Sequence, residues 1–490
     1  MILRALISAG LAAAPTLLAP VALATNLTCQ EPPAMLATSQ YLFIVRGDWV
    51  YQYDVDTLLL KGRAEIPSDA PARRPARRSA NGGGVSIGLD VPRANKPARA
   101  KQLVKPLAKP VIEVSESKPV MDGAGGRYGS RGGGRGSMAA RPASRAAGKA
   151  IQNGLKWLAE HQDENGRWDA DGFMKHDKDG AASDGAGSAV HDVGVTGLAM
   201  LAMFGDGSTL RSGPYKEQLK RATKWLKDQQ HANGLFGSNA SHDFIYDHAI
   251  ATYAMCEAYG LSNMAMLKQA AQKGINYIES HRNPYSVWRY QPRDNDNDIS
   301  VTSWCVMALE SAKFFKLEVN KNALMLAATY LDQVSTPDGR HGYTKAGEKS
   351  SRMPGDHAVK FPIEKCEALT AAGLFCRFFM GQDPNQKPIM KAAADLLIAK
   401  PPTWDTKAGS IDHYYWYYGT YAMFQMGGSH WKKWSKHINQ ALVPNQQTEG
   451  NAAGSWDPAG VWGEQGGRVY STALSILTLE AYYRYSRLIR

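Results

Sequence analysis

Cysteine is scarce: five residues, at 29, 256, 305, 366 and 376, are scattered over 490 positions with no Cys-x-x-Cys pair. That excludes a disulfide framework and the usual zinc spacings. Cys366 and Cys376 are expected on one helix, about 15 Å apart, too far for a bond, so buried free thiols are the expectation. After residue 24 no apolar run is long enough to span a bilayer. Charge of one sign is also missing from most of the chain. Of 57 Lys/Arg against 45 Asp/Glu, residues 71 to 147 hold 16 and 4, which is the whole surplus of 12. The basic character belongs to one segment, and the folded parts are neutral.

What is present divides into four stretches. Residues 1–24 carry Arg4, an Ala/Leu-rich run and a small-x-small site at Ala22-Leu23-Ala24, the pattern of an export signal. Pro15 and Pro20 disfavour a retained spanning helix. Location across the inner membrane is therefore expected: periplasmic, cell-envelope or extracellular. Residues 25–67 contain YLFIV, WVYQY and LLLKGRAEI, rich in β-branched and aromatic residues and separated by Arg46-Gly47-Asp48 and Asp54-Val55-Asp56 as turns. They predict a short β-meander resembling one propeller blade. Residues 68–145 are Pro-, Gly-, Ser- and Arg-rich without periodicity, a disordered basic linker. Its partner would be an anionic envelope polymer or membrane surface, and no nucleic acid is expected in an exported protein.

From 146 to 490 the pattern is helical throughout. Amphipathic segments at 146–162, 214–230, 266–281, 321–334, 388–399 and 430–442 alternate with apolar ones starting at 193, 247, 298, 367, 414 and 468. A helix apolar on every side must be buried on every side. Six half-buried and six fully buried helices predict an all-α fold, an (α/α)6 double-ring toroid with the apolar set inside.

A short motif recurs where outer helices end. Gly154-Leu155-Lys156-Trp157-Leu158, Gln162 and Gly166-Arg167-Trp168 are followed by Trp225-Leu226, Gln229 and Gly234-Leu235-Phe236. Weaker copies lie at 280–288, 335–343 and 448–456. The pattern resembles the QW repeat of squalene–hopene cyclases and related terpenoid cyclases, and Ser300-Val301-Thr302-Ser303-Trp304 is similar to their inner-helix starts. The resemblance covers about 345 residues, the toroid alone. Physically, the Gln amide can bind helix-end groups, the Gly permits the turn, and the aromatic fills the gap. The motif is thus expected to staple each outer helix to the next inner one, without a catalytic role.

The resemblance implies alkene protonation by an Asp-x-Asp-Asp motif, with an apolar, isoprenoid-like ligand. The nearest string here supplies Asp294, Asp296 and Asp298, and neither register completes the motif. If the protein is an enzyme, Asp296 is the expected acid, tuned by Asp294 or Asp298, with Asp298 alternatively a helix cap. Protein prenyltransferase β-subunits share the toroid and hold zinc, but His413 lacks partners at the right spacing, so no metal and no cofactor is expected. In "GVWGEQGG" Trp462 stands where a thioester cysteine would be. His191, Asp192, Asp247, His248, His413 and Tyr414 fall at inner-helix starts, which share one mouth in a closed ring, and Trp304 lies just inside. These are the expected ligand-binding residues. A non-catalytic binding or envelope-scaffold protein, and a lyase or hydrolase of acidic polysaccharide, are the alternatives. A ligand-sized void within the inner ring would favour an enzyme or carrier; a filled ring would favour a scaffold.

Overall fold

The structure, a computed structural model, describes residues 142–178 and 180–485, and the backbone of four strands between 35 and 65. The expected export signal lies outside the described residues, as does the linker up to residue 141. The chain falls into two compact units, 1–103 and 104–490. In the first, β1 (Met35–Ala37), β2 (Tyr41–Arg46), β3 (Trp49–Asp54) and β4 (Leu60–Glu65) form one antiparallel sheet in sequence order. Tyr41 pairs with Asp54 and Trp49 with Glu65, and the register shifts at Gln52/Tyr53.

The second unit is helical. Six outer helices are α1 (Pro142–Glu160), α3 (Lys216–Asp228), α5 (Lys268–His281), α7 (Lys321–Gln333), α9 (Ile389–Ala399) and α11 (Gly428–Leu442). Six inner ones are α2 (Asp192–Gly205), α4 (Phe244–Ser262), α6 (Ile299–Phe314), α8 (Ala368–Phe379), α10 (His413–Met426) and α12 (Gly463–Leu479). α1 begins at Pro142 rather than 146, with proline at the helix start where its missing N–H is harmless. α12 is broken at Gly467 (φ +68°), so its continuous run begins at Arg468.

Each inner helix packs on the two beside it, and α12 returns to α2, which seals the ring. Every residue of α2 is buried, as an all-apolar helix requires. Each inner helix also packs on the outer helix that follows it, with α12 on α1. The four described cysteines are free and buried. Cys366, however, precedes α8 instead of sharing it with Cys376, so the helical distance expected between them does not apply.

The recurring motif proves to join outer helix to outer helix. Gln162 Nε2 donates to Gly166 O and to Gln218 O in the first turn of α3, both at 2.9 Å. In the second copy the residue doing this is Gln230, not Gln229: its amide reaches Gly234 O at 3.1 Å and Ala270 O of α5 at 3.0 Å. Gln446 reaches Gly454 O and Ala150 O of α1, at 2.7 and 2.8 Å, joining the last outer helix to the first. The tryptophans meet a different need. Trp168, Trp288 and Trp456 donate their indole N–H to Leu158, Ile278 and Leu442, carbonyls in the last turns of α1, α5 and α11. In the third copy Arg282 takes the glutamine's place, donating to Ser286 O at 2.9 Å.

The link to the inner ring is carried by threonine instead. Thr196, Thr302, Thr370 and Thr472 each accept the backbone N–H of the motif's aromatic or histidine, from Trp168, Trp288, His341 and Trp456. Thr420 accepts from the Trp434 indole at 2.9 Å. On α4 the acceptor is His248, whose Nδ1 takes the Phe236 N–H at 3.0 Å, with Thr252 beside it.

The motif glycines sit against backbone. Gly234 has φ +97°, and a methyl group there would fall far inside contact distance of the Lys273 carbonyl on α5. Gly347 also has positive φ, +86°, but open space around it. Gly347→Ala should therefore cost only the backbone term, about 1 kcal/mol. Gly234→Ala adds displacement of a helix and should lower unfolding free energy by roughly 3 kcal/mol. Urea denaturation of both variants checks this; equal shifts would refute the close-approach role.

Candidate functional site at the inner-ring mouth

The ring interior is filled. Trp304 of α6 stacks on Tyr417 of α10 with centroids 5.7 Å apart, although α8 separates these helices around the ring. Phe375 of α8 meets Tyr418 and Tyr421 at 5.4 and 5.7 Å. All five partners are buried. The far end is plugged by Ala481–Tyr485. Arg484 donates to Leu201 O of α2 and to both Glu257 oxygens of α4, while Tyr485 packs on Phe379 of α8 and Tyr421 of α10. Trp304 is thus core packing and not the wall of a chamber.

At the inner-helix starts a polar cluster surrounds Asp298. This carboxylate caps α6, accepting the Val301 N–H at 2.7 Å through Oδ1. Its Oδ2 lies 3.4 Å from the Tyr343 hydroxyl and 3.5 Å from Arg289 Nε. Tyr343 and Tyr290 share a hydrogen bond of 2.6 Å between hydroxyls, and the Tyr290 ring meets Tyr246 edge-on and His242 at 4.4 Å. Ser300 Oγ and the Tyr414 hydroxyl bond at 3.0 Å across the mouth. Burial pushes the Asp298 carboxyl up to about 7, against the Val301 N–H and the Arg289 charge.

The loop that presents this carboxylate is built on Asn283. Its side chain donates to Asp296 O and accepts the Asn295 N–H at 3.0 Å, and Asn295 takes the left-handed conformation (φ +65°). Asp294 Oδ1 accepts the Asp296 N–H at 2.9 Å, an Asx turn. Asp294 is therefore a turn former. The Asp296 side chain is 67% exposed and faces Arg289 Nη1 at 3.3 Å. The expected Asp296 acid therefore lies in solvent beside an arginine, outside the enclosed part of the mouth. Asp298 is the carboxyl that the fold buries.

The remaining expected residues part company. His191 and Asp247 meet at 3.0 Å, linking the starts of α2 and α4 at the mouth. Asp192 is turned away from it, accepting Ala170 N–H at 2.9 Å and Arg167 at 2.6 Å. Burial lifts its carboxyl to about 6 despite these partners. His248 is fully buried between Phe236 N and Gly274 O, and burial lowers it to about 3, so it is a neutral structural bridge. His413 lies among Trp404, Trp416 and Ser475, also neutral through burial, at about 4. Tyr414 remains at the mouth. Asp169, Asp171 and Asp192 approach closely enough to share a cation. Arg167 and Lys175 already pair with Asp169 and Asp192 of this group at 2.6–2.7 Å, so most of its charge is met by protein.

Arg289, Tyr290 and Tyr343 were missed from sequence. Tyr290 and Tyr343 each stand two residues beyond a motif aromatic or its replacement, Trp288 and His341. Aligning the copies on their glycine or aromatic would have set them at one level of the ring. Outside the mouth, a cleft of about 410 Å3 at the rim is lined by Lys149, Lys156, Glu160 and Lys178 with the 447–454 loop.

The His191–Asp247 pair makes a signed prediction. Burial pulls the imidazole down, but the hydrogen bond and charge of Asp247 outweigh it, raising His191 from 6.5 to about 9. A raised folded value gives stability that is complete below pH 6.5 and lost as pH rises through 9. Unfolding free energy should fall by up to about 3 kcal/mol between pH 6.5 and 9.5, and His191→Gln should flatten that part of the profile. A wild-type curve that is level there would remove the ion pair.

No protein-family model and no curated protein matches the chain. Among solved structures, a type II terpene cyclase from Scytonema in complex with merosterolic acid A aligns at 15% identity and TM-score 0.45, covering 70% of this chain and 98% of its own. An inactive variant of an α-1,6-mannanase from a Salegentibacter species, with α-1,6-mannotriose, aligns at 10% identity and TM-score 0.47 over 68% and 98%. An α-amylase from Clostridium perfringens aligns at 13% identity and TM-score 0.46, again over 68% and 98%.

Proposed function

We propose that this is an exported saccharide-binding toroid whose ligand rests at the inner-ring mouth. The observation that carries it is the filled axis: an isoprenoid chain asks for an apolar chamber, and Trp304, Phe375, Tyr417, Tyr418 and Tyr421 occupy that space with their own side chains. What stays partly open is a set of phenols and polar groups, Tyr246, Tyr290, Tyr343, Arg289 and Ser300. Aromatic faces with hydroxyl and guanidinium donors suit a ring-shaped, hydroxylated ligand better than a hydrocarbon. The export signal would place the protein among envelope or extracellular glycans, with the basic segment as a tether to anionic polymer.

One observation favours catalysis on such a ligand as a second reading. The buried Asp298 carboxyl, Tyr343 and Tyr290 form a continuous hydrogen-bonded line toward the mouth, and a carboxyl titrating near 7 can give or take a proton at neutral pH.

Calorimetric titration with neutral and acidic oligosaccharides and with squalene tests the proposal. Saccharide binding is expected, and Ser300→Trp, which fills the mouth, should weaken it by about tenfold or more. Squalene binding without saccharide binding would overturn the reading. For the second reading, a cleaved product should appear with wild type and vanish with Asp298→Asn, which keeps the helix cap; absence of product leaves a binding protein.

A further inference from the structure

Arg289 is an arginine whose donors are not all met by the protein. Its guanidinium lies 5.5 and 5.3 Å from the ring centroids of Tyr290 and Tyr343, which fix its plane at the mouth. Its Nη1 stands 3.3 Å from the exposed Asp296, while its buried Nε, 3.5 Å from Asp298, has no hydrogen-bond partner among the described residues. Other arginines of the toroid are used differently. Arg377 donates to His341, Asp332, Gln382 and Ser335, and Arg167 to Asp163, Asp169 and Asp192. Arg340 grips Glu367 with two nitrogens.

A planar fork held by aromatic rings, three-quarters buried and without its usual complement of acceptors, matches a carboxylate or sulfate brought from outside. Asp296 is well placed to neutralise the guanidinium while the mouth is empty, and its exposure lets it swing away. The Tyr290 and Tyr343 hydroxyls, bonded to each other at 2.6 Å, belong to the same two rings that flank the guanidinium.

We propose that Arg289 is the anchor for an anionic group on the saccharide, so that the mouth selects acidic glycans over neutral ones. This rests on the mouth-binding reading and adds the ligand's charge to it. The ligand class is a hexuronate or sulfated oligosaccharide, the shared chemistry being an oxyanion beside ring hydroxyls.

The test is calorimetry of the full chain with oligogalacturonate, a sulfated chondroitin oligosaccharide and a neutral malto-oligosaccharide of equal length. At least one acidic oligomer should bind about tenfold or more tightly than the neutral one, with affinity falling as salt rises. Arg289→Gln should weaken the acidic oligomers far more than the neutral one and so erase that preference, and Arg289→Lys should fall between. Asp296→Asn, which removes the competing carboxylate, should strengthen acidic binding about threefold. Thermal melts of Arg289→Gln close to wild type would show that the loss is local. Equal affinity for acidic and neutral oligomers, or a preference that survives Arg289→Gln, overturns this inference and leaves the mouth reading intact. No binding of any of the three removes both.

Discussion

Closure of the inner ring is the constraint on which everything else depends. A helix with apolar side chains all round is stable only when surrounded, and six of them in sequence can satisfy one another only by returning to the first. The contact between α12 and α2 is therefore an energetic requirement on the whole unit. It is reinforced on the outside by Gln446, whose amide bridges its own loop to Ala150 of α1 across 296 residues of sequence.

Closure also sets the chemistry at either end. Aligned inner helices bring their starts to one face, where caps and their neighbours supply carboxylates and hydroxyls. The other end is packed by Arg484 and Tyr485, with charge on Arg484 met by Glu257 in the buried interior. Among the described residues, buried aromatic rings pack together between the two ends. The polar groups gather instead at the rim of the starts, where Arg289, Tyr290 and Tyr343 come from the loops outside the ring and Ser300 and Tyr414 from within it.

Repetition explains why some residues that look chemical are structural. His248 stands on α4 where it can receive the Phe236 N–H, a task Thr196 performs for Trp168 on α2. His341 occupies the aromatic's place in the fourth copy, accepting from Arg377 and giving its N–H to Thr370. Burial keeps both imidazoles neutral, which is what a bridge between backbone and side chain needs. An isolated view of either histidine suggests a ligand; its position in the repeat assigns it to the framework.

The sequence by itself determined the number, order and sidedness of the twelve helices, because hydrophobic periodicity reports which faces must leave water. It also marked the glycines and aromatics of the repeat, since tight turns and large apolar side chains are chemically distinctive. Only tertiary structure decided that Gln230, not Gln229, makes the bridge, because a one-residue shift around a helix end changes which amide faces the next outer helix. It likewise separated Asp298 from Asp296, neighbours in sequence but one buried and one in solvent. And it assembled Arg289, Tyr290 and Tyr343 around that carboxyl, a grouping that depends on where loops from two successive repeats meet in space.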